Sequence, residues 1–218
     1  VFPNRLQGTG VGFKMNNRIV FAAIFSLTAT LAAAPAGAAG DATAGKAKAM
    51  ACASCHGADG NSANPEWPSL AGQHAKYLAK QLADFKAGNR NNAMMSPMAA
   101  PLSEQDMADI AAYFESQAQK GGQADPALVE AGEKLYRGGN ATTGVAACMA
   151  CHGPNGMGNP QANFPRLSGQ HAAYTVLQLK AFRAGERAND AGKMMQNIAA
   201  RMTDAEMQAV ASYIEGLQ

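Results

Sequence analysis

The chain repeats one short pattern, Cys-x-x-Cys-His, at two places that lie 96 residues apart. The two copies consist of Cys52, Cys55 and His56, and of Cys148, Cys151 and His152. A repeat at this spacing indicates one structural unit that occurs twice, with one copy of the pattern in each half. The fold must therefore contain two equivalent sites, one at each copy of the pattern.

Further features recur in the same order in both halves. They are Pro68 to His74 with Pro165 to His171, Met94-Met95 with Met194-Met195, and Tyr113 with Tyr213. The spacing drifts only from 96 to 100 residues, which indicates short loop insertions. A Gly-rich polar stretch that ends in Pro126 predicts a linker over residues 121–126. We therefore predict an N-terminal domain over residues 39–120 and a C-terminal domain over residues 127–218.

The apolar residues follow a helical period in both halves, and no stretch alternates as a strand would, so the chain is predicted to be all-α. The predicted helices are about Asp41–Ala53, Ala75–Lys86, Ala127–Arg137 and Ala172–Arg183, with a last helix after Ser103 and another after Thr203. Ser103 and Thr203 each precede an acidic residue by three positions, as in a capping box. Gly88 and Gly185 are the stop signals of the two middle helices.

Cys-x-x-Cys-His is the attachment signature of c-type haem. The two thiols form thioethers with the haem vinyl groups, and the adjacent histidine is thereby held against the iron. The sequence therefore predicts two covalently bound haem c groups. The attachment residues are Cys52, Cys55, Cys148 and Cys151, and the proximal iron ligands are His56 and His152.

Three other interpretations of the cysteines remain open at this point. Four cysteines in an exported protein could form structural disulfides, although the repeated histidine would then be accidental. A redox-active Cys-x-x-Cys expects a βαβ context, which the sequence lacks. Two zinc sites would need His74 and His171 as further ligands. A double attachment signature favours haem over all three.

The second axial ligand decides what the iron can do. Methionine opposite histidine raises the reduction potential and is typical of cytochromes c. Most of the 12 methionines are expected to be packing residues. The two Met-Met pairs, which are predicted to lie in the loop before each last helix, are the repeated candidates. The repeat does not separate Met95 from Met94 or Met195 from Met194, and His74 with His171 is a less favoured alternative.

The beginning of the chain is predicted to be an upstream stretch and a signal peptide, residues 1–38. A basic segment at Arg18 precedes an apolar run from Ile19 to Leu31 and the small residues Ala36-Gly37-Ala38. The run is shorter than the ~20 residues of a membrane-spanning helix. Removing residues 1–38 leaves 15 basic and 16 acidic residues, so we expect no nucleic-acid partner.

From Ala39 to Gln218 the sequence resembles the dihaem cytochrome c4 family. The resemblance rests on C-A-S-C-H-G-A-D-G-N-S, P-S-L-A-G-Q and L-S-E-Q-D-M-A-D-I-A-A-Y-F, with their counterparts in the second half. It implies two tandem class I cytochrome c domains related by pseudo-twofold symmetry. By position in the family motif, it also implies Met95 and Met195 as axial iron ligands. It further implies that Pro68 and Pro165 accept a hydrogen bond from the proximal histidines, with Pro65 as a near competitor.

The resemblance implies a periplasmic electron carrier rather than an enzyme, either free or peripherally associated with the membrane. Its partners would be a quinol-oxidising complex or a dehydrogenase on one side and a terminal oxidase on the other. Two alternatives are a dihaem peroxidase, which needs an open iron position, and a haem subunit of a larger respiratory complex. Gly185 lies ten positions before Met195, but Gly88 only seven before Met95, so we expect unequal reduction potentials.

Overall fold

The computed structural model describes residues 39–217 and the single positions 10 and 12. The predicted signal peptide therefore lies outside the described residues, apart from those two positions. Both halves of the repeat belong to one compact unit, Gly37–Gln218. None of the helices within residues 39–217 combines the length and the hydropathy that a bilayer crossing requires.

Residues 39–217 form ten α-helices, five in each half. The first half contains α1 (Ala42–Lys48), α2 (Ala53–His56), α3 (Ala75–Ala87), α4 (Met95–Ala99) and α5 (Glu104–Glu115). The second half contains α6 (Val129–Gly138), α7 (Met149–His152), α8 (Ala172–Ala184), α9 (Met194–Ala199) and α10 (Asp204–Gly216). Extended pairing in these residues is limited to two isolated bridges. The all-α prediction is confirmed.

The helix boundaries that depend on local chemistry lie where the sequence predicts them. Both last helices begin with a complete capping box, in which Ser103 pairs with Asp106 and Thr203 with Glu206. Each cap satisfies backbone N–H groups that have no partner inside the helix. The middle helices α3 and α8 are followed by glycines in the left-handed conformation, with φ of 78° at Gly88 and 75° at Gly185.

Two local predictions were wrong. The helix expected over Asp41–Ala53 is broken, because α1 ends at Lys48 and a 3-10 turn over Ala49–Ala51 separates it from α2. No Gly or Pro marks this break in the sequence. The Met-Met pairs do not lie in loops, because Met95 and Met194 are the first residues of α4 and α9.

The last helix is the packing centre of each half. Helices α1 and α3 pack on α5, and helices α6 and α8 pack on α10. The α1–α5 and α6–α10 crossings are close, because a Cβ at Gly45 would overlap the Asp109 carbonyl, and a Cβ at Gly132 the Ala209 carbonyl. Each half has its own hydrophobic core, which contains Phe114 in the first half and Tyr136 in the second.

One polar cluster reinforces this crossing in the first half only. The Asp109 carboxylate accepts hydrogen bonds from the Asp41 backbone N–H at 2.9 Å and from Lys48 Nζ at 2.6 Å. These contacts lower the pKa of Asp109 to about 2. The matching position in the second half is Ala209, which carries no charge, so the two α-helical crossings are alike in shape and different in chemistry.

We expect Gly132→Ala to destabilise the C-terminal half by about 1–3 kcal/mol, because the new methyl group would overlap the Ala209 carbonyl and approach Tyr213 Cβ to 2.6 Å. Gly138→Ala is the matched control in the same helix, since nothing lies within 4 Å of a Cβ there. Denaturant unfolding monitored by far-UV circular dichroism measures both. Equal midpoints for the two variants would contradict the close crossing.

Candidate haem sites

The two motif histidines are buried and make the same backbone contact. His56 and His152 are each 6% exposed, in α2 and α7. His56 Nδ1 lies 2.9 Å from the Pro68 carbonyl oxygen, and His152 Nδ1 lies 2.9 Å from the Pro165 carbonyl oxygen. A carbonyl can only accept, so Nδ1 carries the proton and donates it to this bond. The lone pair of Nε2 therefore stays available to bind a metal.

The competitor Pro65 has a different role. Its carbonyl accepts a hydrogen bond from the Tyr174 backbone N–H at 3.0 Å, across to the other half. The histidine contacts thus lie at Pro68 and Pro165, the two positions that the resemblance implies.

Burial also fixes the charge state of the histidine rings. It lowers the pKa of His56 and of His152, and the proline carbonyls oppose this effect only in part. Both rings are accordingly neutral at physiological pH. A neutral imidazole with a free Nε2 is the form that ligates iron.

None of the four cysteines forms a disulfide, so each motif presents two thiols for attachment. Burial raises the pKa of Cys148 to about 11 and also raises the pKa of Cys52. These thiols are the opposite of the low-pKa thiolate that redox-active Cys-x-x-Cys motifs use. The geometry therefore favours neither the disulfide nor the redox-motif interpretation.

The two remaining histidines do not complete metal sites with the cysteines. His74 Nε2 donates to the Met157 carbonyl at 2.7 Å, and His171 Nε2 donates to the Ser62 carbonyl at 2.9 Å. Each of these bonds connects one half to the other. Within residues 39–217, no group of three or more His, Cys, Asp or Glu is placed to hold a metal ion. The zinc and bis-histidine interpretations therefore have no support in this geometry.

The structure distinguishes the two members of each methionine pair. Met94 is 56% exposed and Met194 is 43% exposed. Met95 and Met195, in contrast, are only partly exposed, and Met195 packs against the core of its half. The second methionine of each pair is thus the less exposed one, and it lies at the start of a short helix.

The donor set of each half fits a covalently attached haem. It comprises two thiols outside any disulfide, one neutral histidine with a free Nε2, and one half-buried methionine. Within residues 39–217, these donors in each half match the chemistry of thioether attachment and axial ligation.

The contacts between the halves are reciprocal, and their role was missed in the sequence. Gln73 Oε1 accepts from the Arg166 backbone N–H at 2.9 Å, and its Nε2 donates to the Arg166 carbonyl at 2.8 Å. Gln170 makes the same two bonds to Ser69, both at 2.9 Å. Both glutamines belong to the repeated Gly-Gln-His motif, which was visible as a repeat but not as an interface.

A second reciprocal cluster surrounds two arginines. The Arg187 guanidinium donates to the Tyr77 hydroxyl at 2.8 Å, and the Arg90 guanidinium donates to the Tyr174 hydroxyl at 3.1 Å. Each tyrosine belongs to the opposite half. The exchange of equivalent contacts establishes the pseudo-twofold relation between the halves.

Comparison with known proteins agrees with this geometry. The family model described as Cytochrome c matches residues 42–118 and 129–218. The cytochrome c4 of Stutzerimonas stutzeri is 52% identical over 190 residues, which cover 83% of this chain and 90% of that protein. The thiosulfate dehydrogenase electron acceptor of Thiomonas intermedia is 43% identical over 173 residues, covering 77% of this chain and 78% of that protein.

The fold also matches a solved structure. Reduced recombinant cytochrome c4 from Pseudomonas stutzeri superimposes with a TM-score of 0.80 at 51% identity, covering 83% of this chain and all of the other. Two cytochrome c domains, two Cys-x-x-Cys-His motifs with buried histidines and a reciprocal interface are thus present in one chain. The chain belongs to the cytochrome c4 family of dihaem electron carriers and carries two covalently bound haem c groups.

Proposed function

We propose that this protein is a periplasmic carrier that takes electrons from a quinol-oxidising complex or a dehydrogenase and passes them to a terminal oxidase. The observation that carries the proposal is the buried histidine of each half, which donates from Nδ1 to a proline carbonyl and keeps Nε2 available for iron. The similarity to the thiosulfate dehydrogenase electron acceptor of Thiomonas intermedia supports a dehydrogenase as electron donor.

The geometry of each half supports the ligand sets that the motifs and the resemblance imply. Cys52 and Cys55, or Cys148 and Cys151, would attach the haem, and His56 or His152 would bind its iron. Met95 and Met195 would be the methionine ligands, in preference to the more exposed Met94 and Met194. When bound, each haem supplies one-electron exchange between ferric and ferrous iron.

The protein orients the histidine rings, and its methionines would occupy the remaining coordination position of each iron. The Pro68 and Pro165 carbonyls fix the tautomer and the plane of each histidine ring. A thioether from Met95 or Met195 would close the second axial position, and a closed position excludes peroxide as a ligand. This arrangement favours electron transfer over a peroxidase reaction in both halves.

The proposed location and domain limits come from the sequence. A signal peptide over residues 1–38 would deliver the chain to the periplasm, where it is either free or peripherally associated with the membrane. The proposed domains are residues 39–120 and 127–218, with the linker at 121–126. The balance of 15 basic and 16 acidic residues after removal of residues 1–38 leaves no basic surface excess for nucleic acid.

Replacing Met95 by Ala should remove the thioether-to-iron charge-transfer absorption of one haem, so that the oxidised protein keeps about half of the wild-type band. Met94→Ala is the matched control and should leave the band intact, since the Met94 side chain is directed to solvent. Met195→Ala and Met194→Ala repeat the comparison in the second half. Loss of the band in a Met94 or Met194 variant alone would reverse the assignment.

The two haems should have different reduction potentials. The segment before α9 includes an additional 3-10 turn, Ala191–Lys193, in which Gly192 and Lys193 have positive φ. The corresponding segment before α4 is shorter, so the surroundings of the two methionines differ. Spectroelectrochemical titration should resolve two midpoints, and a single midpoint without splitting would count against this expectation.

Carrier function predicts that catalytic amounts of the protein restore electron flow between a quinol-oxidising complex and a terminal oxidase in washed membranes. The Met95→Ala/Met195→Ala double variant should restore much less, because its altered ligation changes both potentials. Oxygen consumption measures the effect. A high-spin ferric signal with peroxide turnover would instead favour the peroxidase alternative, and stoichiometric copurification with a complex would favour a subunit role.

A further inference from the structure

In each half, one peptide group forms hydrogen bonds through both its carbonyl and its N–H. The amide between Pro68 and Ser69 offers its carbonyl to His56 Nδ1 at 2.9 Å and its N–H to Gln170 Oε1 at 2.9 Å. Gln170 belongs to the other half of the chain. A continuous path of hydrogen bonds therefore runs from the C-terminal half, through one peptide group, to the proximal histidine of the N-terminal half.

The second half contains the equivalent path in the opposite direction, from the N-terminal half to the proximal histidine of the C-terminal half. The amide between Pro165 and Arg166 offers its carbonyl to His152 Nδ1 at 2.9 Å and its N–H to Gln73 Oε1 at 2.9 Å. Each glutamine also donates to the carbonyl of the residue it binds, Ser69 or Arg166. That second bond fixes which end of the amide side chain faces the peptide N–H.

The environment strengthens these bonds. Gln73 and Gln170 are 7% and 8% exposed, and Ser69 is 5% exposed, so water competes little for the donors and acceptors. In chains of hydrogen bonds each bond polarises the next one, by an estimated 10–30%. An acceptor on the peptide N–H thus makes the carbonyl of the same amide more negative, and this strengthens its bond to the histidine Nδ1–H.

We propose that Gln73 and Gln170 are positioning residues that set the reduction potential of the haem in the opposite half. A stronger bond at Nδ1 makes the imidazole a more basic ligand, and a more basic ligand favours ferric iron. Gln170 therefore lowers the potential of the haem at His56, and Gln73 lowers the potential of the haem at His152. The inference rests on the proposed function, in which these two histidines are the proximal ligands.

The experiment is a pair of near-isosteric replacements, Gln170→Met and Gln73→Met, in the full chain with both haems attached. Methionine keeps the length of the side chain but offers the peptide N–H only a weak acceptor. At the wild-type midpoint, the ratio of reduced to oxidised iron should rise roughly threefold at one haem only, which corresponds to about 30 mV at 59 mV per tenfold. NMR-monitored redox titration, with resonances assigned separately near His56 and His152, identifies the haem that moves.

The expected pattern is crossed. Gln170→Met shifts the haem of the N-terminal half, and Gln73→Met shifts the haem of the C-terminal half. Tyr77→Phe is the control, because it removes another bond between the halves, to Arg187, without touching either proline peptide. It measures how far a loosened interface alone moves the potentials. Equal shifts of both haems in each glutamine variant, or no shift beyond the control, overturn the proposal.

A methionine variant leaves a buried peptide N–H without a strong acceptor, which weakens the docking of the two halves. Gln170→Glu provides the second test, because a carboxylate oxygen remains a strong acceptor for the Ser69 N–H. It should lower the potential of the haem at His56 more than that of the haem at His152, opposite in sign to Gln170→Met. A larger effect at His152 overturns the proposal.

The ligand assignment and the coupling between the halves are tested by different variants. If His56 and His152 are not iron ligands, the His56→Ala and His152→Ala variants keep the wild-type low-spin spectrum, and the proposed ligand set is wrong. If the ligands are right and the glutamine variants lack the crossed shift, only the coupling between the halves is wrong.

Discussion

The hydrogen bond between a buried histidine and a proline carbonyl is the interaction on which the rest of this structure depends. It fixes the ring tautomer, keeps Nε2 available and sets the position of the chain that follows each motif. The helices around it serve this geometry. Helices α2 and α7 carry the histidines, and the last helix of each half supports the surrounding core. The N–H of the same peptide group donates to a glutamine of the opposite half.

The parts of the fold that local chemistry determines could be predicted from the sequence. Capping boxes at Ser103 and Thr203 and the left-handed glycines after α3 and α8 need only neighbouring residues to form. The broken first helix could not be predicted, because Ala49-Met50-Ala51-Cys52 has no residue that interrupts a helix. The short helices α4 and α9 were missed because tertiary packing, not helical periodicity over a long segment, stabilises them.

In the candidate site, too, some features could be predicted from neighbouring residues and others could not. The Cys-x-x-Cys-His motifs are contiguous in sequence, so their chemistry could be deduced without a structure. The repeat alone did not separate Met94 from Met95, and the family motif favoured Met95. The lower exposure of Met95, which depends on how α4 packs, agrees with that expectation. Gln73 was invisible as a contact residue because its partner, Arg166, lies 93 residues away. A repeated motif indicates that a residue has the same role in both halves, but only the fold shows which residues it contacts.

The reciprocal contacts of Gln73 and Gln170 have the form of an isologous dimer interface, in which each copy presents the same surface to the other. In a true dimer, such a pairing is lost on dilution. The peptide connection between the halves makes the pairing intramolecular, with an effective concentration on the order of millimolar for a short tether. The docked arrangement is therefore independent of protein abundance, and an organism can change expression of the carrier without changing the fraction of molecules whose halves are docked.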